Sequence, residues 1–438
     1  MSLSPTRREA LLSALFGTGY VGLRALATGL PAWAFLRPHQ SLALACSGRE
    51  RAQYIILSTS AAGDPMNGNV PGTYDHPDVI HPPDPAMEKT AMQLGGQTYY
   101  AARPWAMLPR WVLDRTCFFH HTTLTNSHAN QAKVMKLMGA VKRQEMLVSL
   151  LARELAPCLG TVQREPVVVG AAGPGEFLTY QGRTLPSFPP TALRDVLITP
   201  AGPIAQLQAL RDRDLNRLNA LYKQTGNALQ RRFLDRLAHS QTEVRSIEQS
   251  LLDRLASITN NGVEGQITAA VALIQMNVSP VVSIRLPFGG DNHADPDLRG
   301  ETAQHLSSIA AIGTLLQRLA DARLQDRVTF WAANVFGRTM HINHKGLTGR
   351  DHLAAHHCSV FIGKPFRSSV IGGIELRGRD FAATAINSRT GKSAPDGDIS
   401  FNDTLGAVGK TLAAAVGVAP DVYNDQITTG KVVTAALV

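Results

Sequence analysis

Two short polar motifs pair an aspartate with a histidine: Asp291-Asn292-His293 and Asp351-His352. Carboxylate and imidazole groups together suit Zn²⁺, Mn²⁺ and similar ions, because the carboxylate also lowers the net charge of the cluster. An ion held in this way polarises a phosphoryl or sulfuryl oxygen and activates a water or hydroxyl as nucleophile. The motifs therefore predict a hydrolytic metal site. The alternative is structural: Asp291 caps a turn, and Asp351 is the N-cap of a helix that begins at His352.

The histidines are unevenly distributed along the chain. Most of the 14 fall in predicted loops or at the ends of predicted elements, where several imidazoles can meet at one site. These residues are His76, His81, His120, His121, His128, His293, His341, His344, His352 and His356. Their placement favours a shared polar site over isolated surface histidines.

The elements that must position these motifs follow a strand, helix, strand order. Short apolar runs predict strands, at 53–58, 117–121, 167–170, 281–286, 327–332 and 359–363. Apolar residues at helical spacing predict helices, at 129–155 and 302–322. This order predicts an α/β fold with a mainly parallel sheet flanked by helices. In such sheets, ligands bind in the loops that follow the strands.

Two regions interrupt that order. Residues 75–104 are rich in proline, glycine and histidine and are expected to be irregular. Residues 204–258 contain no proline and a single glycine, Gly226. Their leucines recur at intervals of three or four residues, which predicts two long amphipathic helices. We expect a helical hairpin insertion over about 204–262 that packs on the sheet. A partner-binding coiled coil is the alternative, although the leucines do not keep strict heptads.

The composition is that of an ordinary globular protein. The chain has 438 residues, 44% of them hydrophobic and 18% charged, and we expect one α/β domain over 46–438. The formal net charge is +9, but the basic residues lie beside acids in predicted helices and are not interleaved with aromatics. A nucleic-acid partner is therefore not expected. The four cysteines are too widely spaced for a zinc ribbon.

The first 45 or so residues have the order of an export signal. Arg7 and Arg8 stand directly before an apolar run that extends to about Leu30 and contains one charge, Arg24. Paired arginines before a moderately hydrophobic segment are typical of the twin-arginine route. We expect 1–45 to be such a signal, the twin-arginine translocase to be a partner during export, and the protein to be periplasmic or secreted. An N-terminal anchor helix is the alternative.

Four segments in succession point to a known family. A Gly-rich Asp-x-His loop, a Phe-Gly-Arg-Thr stretch, an asparagine and a Gly-x-Asp-His segment occupy 289–293, 336–339, 343 and 349–352. This succession resembles the exported bacterial family known as domain of unknown function 1501, which is grouped with the alkaline phosphatase and sulfatase superfamily. The resemblance runs from about residue 53 to the C-terminus and implies an alkaline-phosphatase-like fold.

The resemblance also implies site residues. The loop after the first strand supplies a metal-binding acid, and a segment similar to the family's Ser-His motif supplies a histidine that is a ligand or lies just outside the ligands. The implied ligands are Asp64, His128, Asp291, His293, Asp351 and His352. The nucleophile is expected in the loop after the first strand, where Thr59 and Ser60 are the catalytic candidates. Arg338 is expected to hold a substrate anion, or else to pair with Asp351.

One position departs from the family pattern. Where the family has the glutamate of Ser-Glu-Phe-Gly-Arg, this chain has Val335, which removes a potential ligand or general base. One ion in place of two, or none, is the expected consequence. Two hypotheses follow. The first is an exported metal-dependent hydrolase that uses zinc, manganese or calcium and acts on a small phosphate or sulfate ester. The second is a degenerate, non-catalytic periplasmic or surface binding protein that uses the helical hairpin for its partner.

Overall fold

The computed structural model describes residues 50–131, 134–135, 145–161, 163–170, 178–197, 253–290, 292–341 and 348–438, together with 217, 220 and 224. Segment 1–45, most of the predicted helical insertion and Asp291 lie outside the described residues. The signal segment and the helical hairpin therefore stay predictions.

The described residues contain sixteen strands, numbered in chain order. They are β1 (Tyr54–Ser58), β2 (Lys89–Leu94), β3 (Gln97–Ala102), β4 (Thr116–His121), β5 (Val167–Val169), β6 (Thr179–Tyr180), β7 (Arg183–Thr184), β8 (Ser187–Phe188), β9 (Val281–Ile284), β10 (Val328–Ala332), β11 (Gly337–Arg338), β12 (His352–Leu353), β13 (His357–Ile362), β14 (Ser369–Ile371), β15 (Ile374–Arg377) and β16 (Asp380–Ala383). Eight of them form one sheet in the order β14-β4-β13-β10-β1-β9-β5-β8, and the others pair as two-stranded sheets.

The eight-stranded sheet is mainly parallel, as predicted. β13 runs antiparallel to β10 and β4, and the other seven strands share one direction. Every residue of β1, β9 and β10 is buried, a pattern typical of strands that are covered on both faces. The carboxyl ends of β1, β9 and β10 therefore meet at one edge of the sheet. Because β13 is reversed, its first residues reach the same edge.

Helices cover both faces of the sheet. The described α-helices are α1 (Arg103–Ala106), α2 (Arg110–Leu113), α3 (Leu147–Leu159), α4 (Pro190–Leu197), α5 (Val263–Gln275), α6 (Arg299–Asp321), α7 (Thr404–Ala415) and α8 (Pro420–Gln426). On one face, Leu315 of α6 belongs to the same apolar cluster as Ile56 of β1. On the other, Leu412 of α7 joins Ile55. Successive residues of β1 thus serve opposite faces, which gives a three-layer α/β fold.

Two predicted regions differ from the structure. Segment 75–104 was expected to be irregular but contains the hairpin β2–β3, whose turn has Gly95 and Gly96 at φ of 55° and 80°. Two successive left-handed glycines are the signature of a tight hairpin turn. Of the helix predicted over 129–155, the described residues show a 3-10 turn at His128–Asn130, helical residues at 131, 134 and 135, and α3, which begins after the extended Met146. Among the described helices, none combines the length and apolar character needed to cross a membrane.

Candidate metal centre

Two loops at the carboxyl edge of the sheet are joined through their backbones. The Gly349 amide donates to the His293 carbonyl at 3.1 Å, and the Arg350 amide donates to the Asn292 carbonyl at 2.7 Å. A Cβ on residue 349 would lie 2.0 Å from the Asn292 oxygen, so this close approach requires glycine. The glycine of the second motif therefore brings the two aspartate-histidine motifs together.

His293, Asp351 and His352 form a compact group, which we call the metal trio. One potential ligand atom from each residue lies within 4.8 Å of those from the other two. The two imidazole Nε2 atoms are 2.9 Å apart, and Nδ1 of His293 lies 3.7 Å from the Asp351 carboxylate. The side chains of His293 and Asp351 are 30% and 21% exposed. The trio thus offers the predicted donor set together with access for a further ligand.

The His352 ring is held in the form that binds metal. Its Nδ1 lies 2.6 Å from the Asn126 carbonyl oxygen, which can only accept, so Nδ1 carries the proton and Nε2 a lone pair. Burial lowers the pKa of His352, and Arg338 and the other nearby imidazoles lower it further against the opposing effect of the Asn126 carbonyl. The ring is therefore neutral at pH 7. Ligating histidines usually donate their second nitrogen to a carbonyl or carboxylate in this way.

The two Nε2 atoms are close enough for one ion to bind both. Imidazole nitrogens that bind Zn²⁺ at about 2.0–2.1 Å in a tetrahedral set lie about 3.3 Å from each other. The Nε2 pair, at 2.9 Å, would therefore separate slightly to hold an ion. Nη1 of Arg338, a donor, lies 3.5 Å from Nε2 of His293, which favours a lone pair on that nitrogen as well. At 2.9 Å the two nitrogens share a proton in a hydrogen bond when no ion is bound, and a cation that replaces this proton would bind both of them.

A buried ion pair supports the second motif. The Arg350 guanidinium, 1% exposed, donates through Nε and Nη2 to both carboxylate oxygens of Glu301. It also donates to the carbonyls of Thr339 and Ile80. Bidentate geometry and additional acceptors are what a buried pair needs to offset its desolvation. Because Glu301 lies in the first turn of α6, the pair ties that helix to the residue before Asp351.

The alternative interpretation of the second motif is wrong. His352 begins no helix: it lies in β12, which pairs antiparallel with β11, and Arg338 faces His352 in this pairing. The Asp351 carboxylate accepts the His352 amide at 2.8 Å, so its local hydrogen bond supports a strand. Asp291, the remaining predicted ligand of the first motif, lies outside the described residues.

Asp64 lies in an ion pair of its own and not in the trio. It is fully buried, and its carboxylate accepts from the Met66 amide at 2.9 Å and from the Asn334 side chain, and faces Nε2 of His357 at 3.1 Å. Burial alone would raise the pKa of Asp64, but His357 and these hydrogen bonds bring it below its usual range. The carboxylate oxygens are thus used inside the protein, contrary to the predicted role as a ligand of the same cluster.

Val335 faces the core. Val335 is fully buried among apolar side chains of the α3 and α7 face. The neighbouring Asn334 makes the polar contacts instead: its Oδ1 accepts from the Ser60 amide, and its Nδ2 donates to Asp64. The valine therefore occupies a position that this fold makes apolar.

The two nucleophile candidates are buried. Thr59 is 4% exposed and its hydroxyl accepts from Gln131 at 3.3 Å, whereas Ser60 is 2% exposed and its hydroxyl accepts from the Ala62 amide at 3.1 Å. Both hydroxyls hold the loop after β1 in shape. The exposure of the trio favours a water molecule as nucleophile over either of them.

Arg338 ties loops together. Its guanidinium is almost fully buried, and Nη2 donates to the carbonyls of Ala62, at 3.1 Å, and Gly290. These carbonyls belong to the loops after β1 and β9, so Arg338 joins both loops to β11. In place of the predicted two-point hold on a substrate anion, Nη2 makes structural hydrogen bonds, and Nη1 approaches His293.

His128 lies beside the trio on its exposed side. Its Nδ1 lies 2.6 Å from the Ala61 carbonyl, so Nε2 is the basic nitrogen. The ring stands edge-on to that of His352, with centroids 4.6 Å apart, and Phe336 stacks on the same His352 ring at 4.2 Å. His128 therefore borders the trio, in keeping with the predicted position at or just outside the ligands.

Sequence reasoning missed a buried histidine cluster, which is formed by His120 and His121 at the end of β4 and by His356 and His357 at the start of β13. All four are fully buried. Burial lowers the pKa of His120 to about 4 and that of His121 to about 3, so both rings are neutral. The available signal was that each histidine pair directly adjoins an apolar strand sequence, which indicates burial.

Comparison with known proteins adds little to this geometry. No protein-family model matches the chain, and no curated protein matches it. Several solved structures are similar, among them one titled "Crystal structure of Ps i-CgsB". That likeness has 11% identity and a TM-score of 0.35, and it covers 86% of this chain and 74% of the other. At this score it carries no argument about function.

Proposed function

We propose that the protein binds one divalent metal ion at His293, Asp351 and His352 and hydrolyses a small anionic ester outside the cytoplasm. The observation that carries the proposal is the pair of Nε2 atoms 2.9 Å apart beside a carboxylate, with the His352 proton held on Nδ1. A divalent ion when bound would polarise the ester oxygen and lower the pKa of a water molecule.

The surrounding residues prepare the trio for this role. The Asn126 carbonyl fixes the His352 tautomer, and Phe336 stacks on the ring and limits its rotation. The Arg350–Glu301 pair holds the backbone that carries Asp351 and His352. A preorganised ligand set of this kind binds an ion without first paying to reorder its side chains.

The charge of the site supports an anionic substrate. One carboxylate neutralises only half the charge of a divalent ion, and the Arg338 guanidinium lies beside His293. A net positive site in a partly exposed loop cluster attracts negative groups. Phosphate and sulfate esters are the class that combines this charge with an oxygen for the ion to polarise.

Metal analysis combined with hydrolysis assays tests the proposal. Purified protein is expected to hold about one equivalent of Zn²⁺ or Mn²⁺ and to release nitrophenol from an aryl phosphate or an aryl sulfate. His352→Ala is expected to lose both properties, whereas His76→Ala, a half-exposed histidine whose ring packs on Phe381, keeps them. Equal metal content in wild type and His352→Ala would contradict the proposal.

A second candidate function is a metal-binding protein without turnover. It is favoured by the placement of Asp64, which is committed to His357 and Asn334, and by the burial of Thr59 and Ser60. This candidate predicts stoichiometric metal without hydrolysis of either ester class. The same pair of assays therefore separates the two functions.

Export by the twin-arginine route is part of the proposal and is supported by the sequence alone. Arg7 and Arg8 precede a moderately hydrophobic run, and the ligands come from loops nearly 60 residues apart, so the site assembles only on folding. A route that carries folded proteins suits such a site. A fusion of residues 1–50 to a reporter should be exported, and Arg7→Lys with Arg8→Lys should block it; undiminished export of the double variant would refute the signal.

A further inference from the structure

We infer that Asn67 is a positioning residue that holds β11, and through it His352, in register for the metal trio; the inference rests on the proposed metal site. Asn67 is fully buried in the 3-10 turn Pro65–Gly68. Its Oδ1 accepts from the Arg338 amide at 3.0 Å, and its Nδ2 donates to the Arg338 carbonyl at 2.8 Å. One side chain thus takes the place of a neighbouring strand.

β11 is thereby held on both sides. Its other edge pairs with β12, where Arg338 faces His352. A Cβ on Gly337 would lie 2.3 Å from the His356 carbonyl oxygen and 2.8 Å from Cγ of Asn67, so glycine lets β11 approach the amide closely. Any shift of β11 away from Asn67 moves its partner β12, which carries one of the trio's two imidazoles.

A chain of buried histidines fixes the orientation of the Asn67 amide. Nε2 of His120 lies 2.9 Å from the Pro71 carbonyl, which can only accept, so His120 donates there. Its Nδ1 then accepts from Nε2 of His356 at 2.9 Å, and Nδ1 of His356 faces Nδ2 of Asn67 at 3.4 Å. The donors all point one way, from Asn67 towards Pro71. The chain of hydrogen bonds thus links two of the buried histidines, His120 and His356, to Asn67.

The prediction for Asn67→Ala is specific. The substitution removes the side-chain partner of the Arg338 amide and carbonyl and of His356, while the trio itself keeps its residues. Changes to groups that orient metal ligands typically weaken metal binding by about 10- to 100-fold. Asn67→Ser keeps a small hydroxyl that can donate or accept one hydrogen bond, so its effect should be smaller.

Two measurements on the full protein test the role. Amide hydrogen exchange of residues 337–339 and 351–353 reports the register of β11 and β12, and titration with Co²⁺ reports affinity and, through its visible absorption, ligand geometry. Asn67→Ala should exchange faster in both segments, bind Co²⁺ about 10-fold more weakly or worse, and shift the absorption bands. Thr73→Val is the control, because Thr73 is also fully buried but its hydroxyl donates only to the nearby Val70 carbonyl.

The outcomes separate the inference from the proposed function. Unchanged exchange in Asn67→Ala overturns the role of Asn67, as does faster exchange with unchanged Co²⁺ affinity and spectrum. If wild type binds no Co²⁺, the metal proposal fails, and the link from Asn67 to a metal site fails with it, whereas exchange still shows whether Asn67 holds β11. If Asn67→Ala does not fold, Asn67→Ser is compared in the same way.

Discussion

Two groups of histidines lie at the same edge of the sheet, and the directions of their ring nitrogens set them apart. In the buried cluster, His121 donates to the Thr122 carbonyl at 2.8 Å and accepts from the Ser359 hydroxyl at 2.9 Å, and His120 and His356 belong to a one-way chain. In the metal trio, two Nε2 atoms face each other at the surface. A histidine-rich region is therefore a candidate metal site only where imidazole nitrogens converge at a place that solvent can reach.

Burial explains the rest of the difference. In the buried histidine cluster, the ring nitrogens of His120, His121 and His356 pair with carbonyl, hydroxyl, amide and imidazole groups, so these nitrogens are used inside the protein. The trio keeps part of its surface in water, so an ion and a substrate can reach it. The same residue type thus stabilises the fold at one place and offers chemistry a short distance away.

The largest expected effect comes from breaking the buried ion pair. Asp64→Ala leaves His357 in the interior without its carboxylate, and removing one partner of a buried pair typically costs about 3–5 kcal/mol. His352→Ala, in the half-exposed trio, should lower the free energy of unfolding by only about 1 kcal/mol in the metal-free protein. Urea unfolding of both variants measures the two changes in the free energy of unfolding. Equal changes would show that the buried cluster and the metal trio contribute equally to stability.

Gly349 in the second motif should be required both for stability and for metal binding. Gly349→Ala places a Cβ 2.0 Å from the Asn292 carbonyl, and we expect a loss of about 1–3 kcal/mol together with loss of metal binding. Gly313→Ala in α6 is the control, because its Cβ makes an ordinary contact of 3.9 Å with Leu108. That variant should gain about 0.5–1 kcal/mol from helix propensity. Metal binding that survives Gly349→Ala would remove the argument for loop contact.

Acid should lower the stability of the protein through the buried histidine cluster. Because the pKa of His120 is about 4 and that of His121 about 3 in the folded protein, the unfolded state, near 6.5, binds protons first as the pH falls. Stability is therefore complete above about pH 6.5 and decreases below it, by about 1.4 kcal/mol per histidine for each pH unit, until the pH reaches the folded-state pKa. His121→Gln should flatten this slope, and Thr73→Val, at a fully buried residue that does not titrate, should not. A slope unchanged by His121→Gln would contradict the assignment.

Much of the fold was predictable because strands leave a strong local pattern. The apolar runs at β1, β9 and β10 and the long helix α6 lie within a few residues of their predicted bounds. The reversed direction of β13 was not predictable, because an apolar run carries no information about direction. The hairpin β2–β3 was missed because its strands are largely exposed and polar, although the Gly95-Gly96 pair marks its turn.

Part of the candidate site was likewise predictable from the sequence and part was not. His293, Asp351 and His352 were predicted as ligands, and the structure brings them together because their loops meet at one edge of the sheet. Asp64 was predicted with them, but its partner is His357, which reaches that edge only through the reversal of β13. Side-chain direction within a loop depends on such long-range neighbours, and these leave no mark in the local sequence.

The most direct test of the central claim is an anomalous diffraction map from crystals grown with Zn²⁺ or Mn²⁺. We expect a single peak about 2.0–2.1 Å from Nε2 of both His293 and His352 and in contact with the Asp351 carboxylate. A crystal with no peak at the trio at saturating metal, or with the peak among the buried histidines, would show that His293, Asp351 and His352 are not the metal ligands.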